Sequence, residues 1–392
     1  MGEWNILKNA DLPLEVVILI IGGITMLITG FLIFPISSGA LPYYENGLYG
    51  LLLIIFALQT ITLGKTPFGD IPRSKTLLAV GIVIASMGIV TGFVPDVFRS
   101  IPRLLLFLCF GLGGFLLLFQ MIFSKDKLRV WIKYGGIFQH LIFACSLVYV
   151  MSMALGLFIW NQSLLSVPLA AIAVLISGSA ILYLAVVLRN VYAKYPEAAE
   201  PRNGSVQLSF DQTMLLMMGI FMLLLGLLLI PVNLGLLPFS GSAQLGLLMI
   251  MFAVQMLASG NTPIGSFSRS WLMILMGLLF AALGIVSCII PEILVPYLTV
   301  LVAALNILGG SISLVKIFIP LLIKSPDPQN SVPPIMVKLF AVQLTTYLLT
   351  VLFGISMFVS NLIPGLVIGV ILAANGCFLL YMLCILKALE KL

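Results

Sequence analysis

A chain of 392 residues with 19 basic and 13 acidic side chains is 8% charged and 61% hydrophobic, far from the roughly 25% charge of a soluble domain. There is too little polar surface to face water, and a mean hydropathy of +1.23 excludes an ordinary soluble fold. The net charge of +6 comes from basic residues scattered singly between apolar runs, not gathered in a stripe, so nucleic acid is excluded as a partner.

The opening residues, MGEWNILKNADLPLE, lack the basic region and small-residue cleavage site of a signal peptide, so the first apolar stretch is expected to stay as an anchor. Apolar runs of about 20 residues cross about 30 Å of hydrocarbon. Twelve such runs predict helices over residues 14–34, 46–64, 76–94, 102–123, 136–159 and 164–188, then 213–232, 242–259, 271–290, 294–323, 336–359 and 362–386. The break between the two sets contains YAKYPEAAEPRNGS, whose Pro, Gly, Ser and charged residues read as a solvated linker. The predicted organisation is a six-helix membrane repeat at 1–188, a cytoplasmic linker at 189–212 and a second six-helix repeat at 213–392.

Positive residues accumulate in cytoplasmic loops. Seventeen of the nineteen Lys and Arg residues fall at the termini, in the linker and in the even-numbered connections, against Arg99 and Arg103 in the opposite set. A multi-pass protein of the cell (inner) membrane with both termini cytoplasmic is the expectation.

Displacing the chain by 196 residues aligns Gly23–Asp96 with Gly219–Glu292 without a gap, and 29 of the 74 positions are identical. Sixteen of these are Gly, Pro, Gln, Thr, Arg or Ser, which apolar composition alone does not produce. An even number of spans per repeat gives both halves one orientation, so the expected fold is all-α, with about 12 transmembrane helices as two parallel repeats about a pseudo-twofold axis along the membrane normal. Within each half a shorter period recurs: Gly23, Gly30 and Pro35 in the first span, Gly81, Gly88 and Pro95 in the third. Glycines seven apart share a helix face and permit close backbone approach, and the proline is expected to mark the outer end of the helix.

The clearest shared motif is the turn between spans two and three: GKTPFGDIPRSK at Gly64–Lys75 and GNTPIGSFSRSW at Gly260–Trp271. Thr66, Arg73 and Ser74, with Thr262, Arg269 and Ser270, carry hydroxyls and guanidinium groups suited to a lipid head group or another anion. The same residues also suit a Pro-x-Gly turn, an orientation-fixing Arg and a Ser cap on the next helix, and this simpler reading is preferred. Gln59 and Gln255 occupy matching mid-span positions, where they can make interhelical contacts or meet across the pseudo-twofold axis.

All thirteen acids lie at span ends or in loops, so the mid-depth carboxylate of a coupled transporter is missing. Five cysteines without a CxxC pair, and a single histidine, His140, give no disulfide framework, metal site or haem ligation. No cofactor is expected. Neither GxSxG, HExxH nor a P-loop occurs, so the chain is not expected to be an enzyme.

The segments GITMLITGFLIFP and GIVIASMGIVTGFVP, with ALNILGG at Ala304–Gly310, resemble the HdeD-like short-repeat membrane proteins in double length. That resemblance implies an inner-membrane protein linked to stress responses and transfers no catalytic residue. The six-plus-six plan is also similar to the major facilitator superfamily, although Asp70 and Ser266 do not fit that family's acidic loop motif. The functional expectation is a non-enzymatic protein acting by helix packing, lipid contact or docking to partner subunits of the membrane. The alternative is an uncoupled transporter or channel for a small neutral or apolar solute.

Overall fold

In a computed structural model, described over residues 12–71, 73–124, 127–161, 163–164, 166–199, 208–323, 334–359 and 364–390, the chain is helical nearly throughout. Lys8, Lys125, Arg202, Lys324 and Lys391, used in the reading of orientation, and residues 200–207 of the linker lie outside the described residues. The first half contains α1 (Leu14–Ser37), α2 (Glu45–Leu63), α3 (Lys75–Phe93), α4 (Ile101–Phe107), α5 (Gly113–Phe123), a short α6 (Leu128–Tyr134), α7 (Ile137–Trp160) and α8 (Val167–Lys194). A π-turn at Leu108–Leu112 joins α4 to α5 into one span. The second half contains α9 (Phe210–Asn233), α10 (Gly241–Ser259), α11 (Trp271–Ile289), α12 (Val295–Ile323), α13 (Pro334–Phe358) and α14 (Gly365–Leu389).

Twelve helices among the described residues are long and apolar enough to cross a membrane, and they fall within a few residues of the predicted spans, apart from the longer C-terminal end of α8. The chain is an all-α, multi-pass membrane protein. Large side chains such as Phe143, Val186, Leu275 and Val370 stand exposed on its periphery, where acyl chains take the place of water as the neighbouring medium.

The helices pair alike in the two halves. In the first, α1 packs on α8, α2 on α3, the α4–α5 span on α7, and α7 on α8; in the second, α9 packs on α14, α10 on α11, α12 on α13, and α13 on α14. Glycine is the residue at these crossings because no hydrophobic drive separates helix from lipid and close packing must supply the attraction. A Cβ on Gly23 would lie 2.7 Å from Leu182, and one on Gly219 would lie 2.8 Å from Leu380. Gly81 meets Ile61 as Gly277 meets Leu257, and Gly50 and Gly88 face one another as Gly246 and Gly284 do. Proline behaves less uniformly than expected. Pro95 and Pro291 lie beyond α3 and α11, but α1 and α9 each continue two residues past Pro35 and Pro231. In so terminal a position the missing N–H frees a single carbonyl, and the helix tolerates it.

Contacts between the halves are reciprocal. Helix α1 touches α10 and α11, α2 touches α9 and α11, and α3 touches α9 and α10. The Tyr44 amide donates to the Ile289 carbonyl at 2.9 Å, and the Ser240 amide donates to the Phe93 carbonyl at 2.8 Å. These two bonds join residues that exchange places under the 196-residue displacement. Phe93 and Phe221 cross edge to face at 5.3 Å between centroids, a geometry aromatic quadrupoles favour. Leu51, Leu53, Leu247 and Leu248 are fully enclosed, and α2 and α10 are the most deeply buried spans.

Candidate functional site

The duplicated turns fold as miniature hairpins, Lys65–Thr66 with Gly69–Asp70 and Asn261–Thr262 with Gly265–Ser266. Each begins where a helix stops at a left-handed glycine, Gly64 at φ 68° and Gly260 at φ 72°, a conformation closed to most side chains. The Thr66 hydroxyl donates to the Gly69 carbonyl at 2.7 Å and accepts from the Phe68 amide at 3.2 Å. Thr262 makes the matching bonds with Gly265 and Ile264 at 2.8 and 3.2 Å. Ser74 and Ser270 cap α3 and α11 by accepting from the Leu77 and Met273 amides. The four hydroxyls therefore have partners within the turn or in the first turn of the helix that follows it.

The arginines are placed differently. Arg73 is half-buried and donates through Nη1 to the Leu208 carbonyl at 3.4 Å, tying the turn of the first half to the residue that leads into α9. Burial lowers the pKa of its guanidinium from the ordinary value. The Arg269 stem passes 3.2 Å from the position of a Cβ on Gly260, as the Arg73 stem does at Gly64.

Each hairpin tip rests on the fourth span of its half. A Cβ on Gly113 would lie 2.6 Å from the Pro67 carbonyl oxygen, and one on Gly309 would lie 1.9 Å from that of Pro263. This docking helps to enclose one cavity in each half. The first, of about 300 Å³, is bounded by Lys65, Thr66 and Pro67 of the hairpin and by α1, α2, α5, α7 and α8. The second, of about 340 Å³, is bounded by Asn261, Pro263 and the corresponding helices of the other half. Gln59 lines the first and Gln255 the second. The two glutamines thus face separate chambers and do not meet.

Both chambers occupy the end of the bundle that carries the duplicated turns. Glu15 lies at the mouth of the first, where it accepts from Lys65 and from the Tyr192 hydroxyl. At the matching place in the second, Asp211 accepts from Asn261 at 3.1 Å. Lys127 also lines the first chamber and donates to Gln120 at 3.2 Å. Deeper, the chambers differ: Phe110, Leu117 and Val148 line the first, and Asn306, Ser313 and Thr346 stand at the equivalent positions of the second.

Of the residues singled out in the sequence, Thr66, Gln59 and Gln255 are brought to chamber walls, whereas Arg73 and Ser74 line a separate crevice beside Leu208. The acidic mouths and the hydroxyls of α13 were not found by motif. Asn306 and Asn375 are mid-span amides, and nothing in the sequence tells a chamber wall from a helix contact. Among the described residues no group of three or more His, Cys, Asp and Glu side chains is placed to hold a metal ion. His140 is exposed and hydrogen-bonded to the Tyr183 hydroxyl at 2.8 Å. In comparisons with family models, curated proteins and solved structures, the chain matches none.

Proposed function

We propose that this is a non-enzymatic membrane protein of two parallel six-helix repeats about a pseudo-twofold axis along the membrane normal, and that each repeat conducts a small neutral or apolar solute without ion coupling. One observation carries the reading: a chamber of similar size sits at the same place inside each half, with its charged or amide mouth at the end bearing the duplicated turns. The reciprocal hydrogen bonds and the enclosed apolar seam between the halves favour motion within each half over rocking of one half against the other. Charge lies at the mouths of the chambers and neutral side chains line the depths, which suits a solute carrying no charge. The same geometry takes the reading away from a pure scaffold, although membrane lipids remain its covering partners. The positive-inside distribution supports a cytoplasmic side for the mouths.

Ser152 and Thr350 occupy matching wall positions, so Ser152→Phe and Thr350→Phe fill one chamber each. In proteoliposomes, osmotic light scattering with glycerol or urea should show uptake above that of protein-free vesicles, partly lost in each variant and abolished in the double variant. Wild-type uptake no faster than that of empty vesicles overturns the reading.

A further inference from the structure

We infer that the second chamber is a selective site for a small neutral polyol. The inference rests on the chamber reading above and goes further by naming the ligand chemistry and the residues that hold it. Its starting point is a pair of side chains whose polar atoms have no hydrogen-bond partner. Thr346 is 5% exposed and Asn375 is 6% exposed; both line the second chamber, and neither Thr346 Oγ1 nor Asn375 Oδ1 is hydrogen-bonded.

Within a membrane helix a hydroxyl ordinarily turns back to the carbonyl four residues earlier. Thr25, Thr29, Thr345 and Thr350 all do so. Thr346, between two such neighbours on α13, does not. Buried polar atoms in native proteins are almost always satisfied, so an unsatisfied hydroxyl and an unsatisfied amide oxygen on one chamber wall point to a partner that occupies the chamber. Asn375 Oδ1 is an acceptor and requires a donor; the Thr346 hydroxyl both donates and accepts. A molecule with several hydroxyl groups matches both.

Charge and size narrow the class. Among the described residues Asp211 is the one formally charged side chain lining this chamber, it sits at the mouth, and it already accepts from Asn261. The depths therefore offer no counter-ion to a charged solute. A volume of about 340 Å³ exceeds by far the roughly 15 Å³ that one water requires on the same measure, and it accommodates a polyol of three to six carbons. Met214, Met218 and Phe252, which also line it, suit the C–H face of such a chain. The first chamber has Val148 and Phe110 where the second has Thr346 and Asn306, so the selectivity belongs to the second alone.

Saturation-transfer NMR on the full-length protein in deuterated detergent, with xylitol at millimolar concentration, tests the site. Wild-type protein should give saturable transfer, and Thr346→Val with Asn375→Leu should reduce it at least tenfold while circular dichroism stays unchanged. Thr346→Ser, which keeps the hydroxyl, should retain binding, and so should Ser152→Phe, which fills only the first chamber. If the double variant fails to fold, Asn375→Leu alone carries the test with the same sign. Absence of saturable transfer to wild type, as for a chamber filled only with water, overturns the proposal. Undiminished transfer to the variants, or displacement of xylitol by sodium ions, does so as well. Glycerol uptake that is undiminished in Thr346→Val/Asn375→Leu removes the polyol site and leaves conduction standing, whereas wild-type vesicles without uptake remove conduction itself.

Discussion

Replacing Gly309 by alanine should destabilise the second half more than replacing Gly113 destabilises the first. The added methyl carbon meets a backbone oxygen in both cases, at 1.9 Å from Pro263 and at 2.6 Å from Pro67. Ordinary contact begins near 3.4 Å, so the hairpin tip must withdraw by about 1.5 Å in the second half and about 0.8 Å in the first. Overpacking of this kind costs about 1–3 kcal/mol. Alanine returns up to about 1 kcal/mol through its better helix propensity. The net loss should be about 2 kcal/mol for Gly309→Ala and at most about 1 kcal/mol for Gly113→Ala, since the smaller displacement lies at the lower end of the steric range. Gly22, where a Cβ would meet nothing within 4 Å, serves as the control, and Gly22→Ala should be neutral or stabilising. Thermal unfolding of the purified protein in detergent, followed by circular dichroism, ranks the three. A Gly309→Ala protein as stable as wild type, or one more stable than Gly113→Ala, would refute the docking of the turns on the fourth spans.

Phe93→Ala should cost about 3–5 kcal/mol, because a fully buried ring is lost from the seam between the halves; Phe143→Ala, 61% exposed, should cost little, and equal losses in chemical unfolding would count against the seam. Arg73→Lys should lower stability by about 1 kcal/mol through the hydrogen bond to Leu208 while co-purifying phospholipid stays at the wild-type level; a selective fall in bound lipid would instead favour the head-group role read from the duplicated turns. For orientation, an impermeant thiol reagent applied to intact cells should label a cysteine at Asn46 and spare one at Asn203 in a cysteine-free background. The reverse pattern would invert the topology.

The sequence alone determined the class of fold and much of its local chemistry. Long apolar runs force every backbone group to bond within its own segment, which in a bilayer means helices, and the ends of those runs lie close to the observed ends. Glycine and proline spacing brought out the similarity of the two halves, and the turn motif foretold the serine cap because that need is local. Tertiary structure alone decided which face each helix presents. Hydropathy cannot separate a lipid-facing leucine from one in the seam, since both environments are apolar; Leu51 and Leu275 look alike in sequence, yet one is enclosed and the other is 62% exposed. The register of the later spans was hidden for a related reason. Gly156 and Gly178 correspond to Gly354 and Gly376, two residues beyond the 196-residue displacement, and only their shared approaches to helix backbones bring this out. The chambers arise in the same way, where Gln59, Val148 and Thr66, or Gln255, Thr346 and Asn375, converge from segments far apart in the chain. Such convergence depends on how helices cross, and the crossings are set by close contacts between distant glycines.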